Sequence, residues 1–241
     1  MKNGQPPQPH RSPTTPSPWL VNQWVAAGIV SAASRFIPIP FVDDLVREQC
    51  SRFVASRTLA SSRSNLTLDD LKPYYASGGS FLAGRARALA KAPLKLLLFP
   101  VRKVVAIVTS VHGVPLEIMR MVLLGRTLAR YLHNEELKDA ATAGRMRLAF
   151  DKAFAGMDFR VIRAAMADAL SSVSGWKAAA VVSAKRTAET KKPLDDDLAA
   201  EATVDSGASK VQEVLDRPET LALFAEFDRR FDETLQRYQS D

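Results

Sequence analysis

Near the C-terminus, Leu221, Phe224, Phe227, Phe231, Leu235 and Tyr238 recur at gaps of three and four residues, the spacing of one face of an α-helix. An opening signal, Asp216-Arg217-Pro218-Glu219, stands just before the stripe, with proline and acid suited to a helix's first turn. So large a stripe must dock on apolar surface, and the chain's own core is the expected place. The same helical spacing recurs along much of the chain, while alternation of β-branched with polar residues is rare and glycine numbers only 11 in 241 residues. An all-α, multi-helix bundle with proline-broken helices follows.

With 46% hydrophobic residues the chain can bury a substantial core. Residues 1–18 hold six of the 14 prolines and read as a disordered, polyproline-like tail. This start has no apolar stretch after its early lysine, so the protein is expected to begin at or near Met1. Residues 19–192 read as one helical domain, and residues 193–241 as an acidic linker and C-terminal helices packed on it.

The first helix is expected over 19–34, with Ala26, Ala27, Gly28, Ser31 and Ala32 offering a small-residue surface that another helix can approach closely. Residues 12–34 are uncharged, but prolines, Asn22 and Gln23 make them a poor membrane span. Ile37-Pro38-Ile39-Pro40-Phe41 must turn the chain, because proline removes a donor and pushes the preceding residue into extended geometry. A second helix is expected over 41–61, with Asp43 and Asp44 at its positive end. Thr67-Leu68-Asp69-Asp70 reads as a cap opening a short helix that ends before Gly78.

Further helices are expected over 80–112, kinked at Pro93 and Pro100, and over 113–133, 135–155 and 159–172. The pattern weakens over 175–192. Pro193 with Asp195-Asp196-Asp197 reads as a helix start, and residues 203–209 as an exposed loop.

Candidate chemistry is sparse. Residues 79–86 carry the glycine spacing of a phosphate-binding loop, but Arg85 and Ala86 stand where lysine and a magnesium-binding hydroxyl are needed, and no strand precedes them. His10, His112 and His133 are not spaced as paired ligands, and lone Cys50 has no nearby histidine to activate it. Asp195-Asp196-Asp197 with Glu201 lacks the alternating ligands and central glycine of an EF-hand, which favours solvated carboxylates. No catalytic residue, cofactor or metal site is assigned.

Charge is the informative feature. The net charge is +7, yet residues 1–134 carry 17 Lys/Arg against 6 Asp/Glu, and residues 135–241 carry 16 against 20. Such a layout suits an anionic partner for the first half, or mutual attraction of the two halves. On a helix, Arg87, Lys91, Lys95 and Arg102 share an arc of roughly 80°, with Leu82, Leu89, Leu96, Val104 and Val108 gathered on the other side. This basic amphipathic pattern fits docking on an anionic membrane surface, and equally the solvated face of a core helix. Aromatics are few here, which places nucleic acid behind membrane or protein partners.

Residues 26–45, running from the small-residue helix through Ile37-Pro38-Ile39-Pro40-Phe41 to Asp43-Asp44-Leu45, resemble EcsC-like proteins and the helical domain of YcjF-like, GTPase-associated proteins. The resemblance covers residues 26–60. It implies a helical accessory role at a membrane or beside a GTPase or transporter, with no catalytic residues. The expected function is a non-enzymatic accessory protein, cytoplasmic and at the inner face of a membrane, binding a protein partner through Arg87, Lys91, Lys95, Arg102 and Lys103 or using them on lipid. The alternatives are a soluble helical scaffold or regulator without membrane contact, and an enzyme with an unrecognised helical active site.

Overall fold

The computed structural model describes residues 16–76, 113–190 and 192–240. These form nine α-helices: α1 (Pro18–Ala33), α2 (Val42–Ala60), α3 (Leu68–Tyr75), α4 (Val114–His133), α5 (Ala140–Ala155), α6 (Arg160–Ser171), α7 (Trp176–Glu189), α8 (Ala202–Leu215) and α9 (Pro218–Ser240). A 3-10 turn, Ser34–Phe36, follows α1, and no strand occurs among the described residues.

Helix α1 lies at the centre, packed by α2, α4, α7 and α8. From Trp24 to the end of the helix every residue is buried, which explains the absence of charge better than a membrane would: a helix apolar all round belongs inside a core. No helix among the described residues is long and apolar enough to cross a membrane.

The small-residue surface is used as expected. A Cβ on Gly28 would lie 2.6 Å from Ile118 Cα, so α4 backbone sits where a side chain would be. About two turns away along α4, a Cβ on Gly125 would strike the Trp24 indole. The Trp24 N–H donates to Thr58 Oγ1 at 3.0 Å, and that hydroxyl donates to the Val54 carbonyl at 2.7 Å. A large ring is thus seated between α4 and α2 with its polar atom satisfied, as a buried indole requires.

A second focus is aromatic. Phe227 and Tyr74 meet Phe150 edge-on at 5.5 and 6.1 Å, and Tyr131 meets Phe231 at 5.4 Å. The stripe on α9 therefore docks on the protein's own core, as the spacing predicts, with Phe224, Phe227, Phe231 and Leu235 buried. Leu221 remains half exposed.

Caps fall where the residues allow. Thr67 and Asp70 form a reciprocal capping box on α3, and Ser17 accepts from Leu20 N–H at the start of α1. Phe41, directly after Pro40, opens α2 in the left-handed region, at φ 68°, a costly conformation for a bulky residue.

Several local expectations are corrected. Helix α5 begins at Ala140 and not near 135, because Glu135 turns through φ 58° and the Asp139 carboxylate caps Thr142 N–H at 2.7 Å. Residues 175–190, where the pattern weakens, are mostly helix α7. Residues 193–201 start no helix, and residues 203–209, read as a loop, lie within α8. There Val204, Gly207, Ala208 and Val211 are buried, their three- and four-residue spacing hidden by the interspersed Asp205 and Ser206. Residues 1–15 of the expected tail and the helix expected over 80–112 lie outside the described residues, while Ser17 and Pro18, also assigned to the tail, cap and open α1.

Gly28→Ala is expected to destabilise the fold by ~1–3 kcal/mol in chemical denaturation, the cost of overpacking against backbone. Gly207→Ala would meet only side-chain atoms at 3.4 and 3.6 Å. It is expected to be neutral or stabilising by up to ~1 kcal/mol through helix propensity.

Candidate functional site

The sequence-predicted contacts Arg87, Lys91, Lys95, Arg102 and Lys103, the glycine-spaced segment 79–86, His10 and His112 lie outside the described residues. What the described residues do show is how the remaining charge is arranged around that segment's two flanks, Ala76 and Gly113.

At the Gly113 flank the first turn of α4 carries Glu117, buried to 4% exposure. Burying a carboxylate demands partners, and three elements supply them. Ser31 on α1 donates to Glu117 Oε1 at 2.9 Å, Arg47 on α2 donates to the same oxygen at 3.0 Å, and Arg35 in the 3-10 turn reaches Oε2 at 3.4 Å. The node locks the underside of the Ile37–Phe41 turn to α4. Burial pulls the Arg47 pKa down, but the Glu117 charge and hydrogen bond outweigh this and hold it above its usual value. Cys50, fully buried, has its thiol pushed well up by burial and by the Glu117 charge, so it is a core residue and no nucleophile.

Glu117 escapes notice in the sequence except as the one acid in a long basic stretch. That isolation is the only signal that could have marked it. Beside the node, Ile39 of the turn (57%) and Leu45 in the first turn of α2 (37%) are exposed.

The other arginines of α2 and α4 reach across to the second half. Arg52 forks onto Asp195 at 2.7 and 3.3 Å, and Arg57 lies 3.6 Å from Asp196. Arg120 lies 3.4 Å from Asp151. Arg126 pairs with Asp228 at 2.8 Å, and Arg130 takes both Asp232 oxygens at 2.7 Å beside the Tyr131 hydroxyl at 2.9 Å. Positions 126 and 130 on α4 thus match 228 and 232 on α9, each pair one helical turn apart. Asp197 caps Ala199 N–H at 2.7 Å, so the triple-aspartate run consists of an arginine fork, an ion pair and a turn cap. No three His, Cys, Asp or Glu side chains converge on a metal position among the described residues.

At the opposite end of α1 a cleft of about 830 Å³ opens between the α1 N-terminus and the α2 and α4 C-termini. Leu20, Leu132 and Leu137 form its floor, and Arg63, His133, Glu135 and Lys138 line it as well. Ser61 and Ser62 line it too, and their hydroxyls donate to the Thr58 and Leu59 carbonyls at 2.8 Å.

The chain matches no protein-family model, no curated protein and no solved structure.

Glu117→Gln is expected to lower stability by ~1–3 kcal/mol in denaturant titration. The loss falls below the figure for a fully buried pair because Arg35 and Arg47 keep part of their hydration.

Proposed function

We propose that the protein is a non-enzymatic helical accessory protein that docks peripherally on an anionic membrane surface, at its cytoplasmic face, and binds a protein partner there. One observation carries the reading. Residues 77–112 contain six Lys/Arg and no Asp/Glu out of a net charge of +7, so the rest of the chain is close to neutral. Its first-half arginines on α2 and α4 already face carboxylates. The uncompensated charge is concentrated in one segment, and its apolar residues alternate with the cations at helical spacing.

Each basic residue near an anionic leaflet contributes ~1 kcal/mol, and apolar side chains add insertion into the interface. Lys91, Lys95, Arg102 and Lys103 are the principal contacts, with Arg87 on the same arc. The resemblance to EcsC-like and YcjF-like helical domains supports an accessory role beside a membrane-bound partner.

A second reading, a soluble scaffold or regulator, is favoured by the five arginines of the first half that pair with carboxylates of the second. In it the charge asymmetry serves internal packing alone.

Cosedimentation of the purified chain with phosphatidylcholine vesicles and with phosphatidylserine-containing vesicles, across a salt series, separates the two. Salt-sensitive binding to the anionic vesicles is expected, with a loss of ~10²–10³-fold on converting Lys91, Lys95, Arg102 and Lys103 together to Glu. Unchanged binding by that variant removes the assignment of these residues, and absence of binding by the native chain hands the case to the scaffold.

A further inference from the structure

Residues 192–201 run between α7 and α8 without helix, along helices α2 and α7, which pack on one another. Two apolar side chains anchor this stretch, Leu194 and Leu198, both buried. Its few backbone anchors are made to side chains: Leu194 N–H donates to Gln49 Oε1 at 3.2 Å, and Glu201 N–H to Ser183 Oγ at 3.1 Å. Between these points the only backbone N–H bond among the described residues is the local one from Ala199 to Asp197. Ala199 itself sits at φ 48°, a left-handed conformation that costs a residue with a Cβ.

The remaining attachments are ionic. Asp195 forks onto Arg52, Asp196 meets Arg57, and Glu201 meets Arg186 of α7 at 2.5 Å. Their carboxylates keep 39, 88 and 37% of their exposure. Ion pairs so placed are screened by salt and contribute little. A stretch with few backbone bonds, strained backbone and solvated ion pairs is drawn from the low-stability end of a fold.

We infer that residues 192–201 are a releasable strap, whose carboxylates occupy Arg52, Arg57 and Arg186 until a phosphate-bearing anion displaces them. An arginine fork that accepts a carboxylate accepts a phosphate equally well, and a multivalent phosphate can engage arginines that the strap engages one at a time. The strap is an internal stand-in for that ligand. The inference is independent of the membrane reading, since it concerns different residues.

Hydrogen exchange measured by mass spectrometry on the full chain tests it. The probes are sodium tripolyphosphate, sodium chloride at matched ionic strength, and phosphatidylglycerol vesicles. The bonded amides of Leu194, Ala199 and Glu201 are expected to exchange at least fivefold faster with tripolyphosphate or with the vesicles than with matched chloride, while α1 and α4 stay protected. Whichever probe acts identifies free phosphate or lipid head group as the source. Asp195→Asn with Asp196→Asn is expected to give the faster exchange without any probe. Should that double variant lose protection in α1, Asp196→Asn alone, at a solvated carboxylate, is expected to accelerate exchange two- to threefold with the body intact. Exchange that no phosphate probe accelerates beyond chloride, or that the folded variant leaves unchanged, overturns the proposal.

Discussion

The contact between α1 and α4 is the constraint on which the rest of the molecule depends. It requires a bare Cα at Gly28, because Ile118 backbone fills the space a side chain would take, and a second bare position at Gly125 to seat Trp24. With the two backbones this close, Ser31 reaches the carboxylate of Glu117. The same geometry fixes where α2 must lie, since both Trp24 and Glu117 find a partner there, at Thr58 and Arg47. Close packing and a buried charge therefore reinforce one another: the carboxylate is tolerated only because three elements converge on it.

Around this centre, charge has been distributed so that the body neutralises itself. The matched turns of α4 and α9 bring Arg126 and Arg130 to Asp228 and Asp232, and α2 meets the carboxylates of residues 195 and 196. Each of these pairs is partly hydrated and individually modest. Collectively they give the two halves of the chain a preferred register and remove most of the positive field that composition alone would lead one to expect. The basicity left over resides between Ala76 and Gly113, which is why the functional proposal rests on that segment and not on the helical body.

Parts of this arrangement were legible in the residues. The phenylalanine stripe of α9, the Thr67–Asp70 cap, the proline turn and the small-residue face of α1 all announce themselves through local periodicity or backbone chemistry. Helix α8 did not, since Asp205, Ser206 and Gly207 suit a loop until Leu170 and Ile29 are seen packing against Gly207. The aspartates at 195–197 read as a helix start because acids and a preceding proline favour one. Arginines on α2, 139 and 143 residues away in sequence, claimed two of them instead.

By itself the sequence determined that the chain is all-helical, where most helices begin and end, which faces are apolar, and that its positive charge is unevenly spread. These are consequences of interactions within about four residues, which propensity, capping and side-chain periodicity express directly. Only the tertiary structure decided which carboxylate answers which arginine, that Glu117 is buried and shared, and that residues 192–201 form a strap instead of a helix. Pairings between residues far apart in the chain depend on how helices are placed in space, and no local pattern encodes that placement.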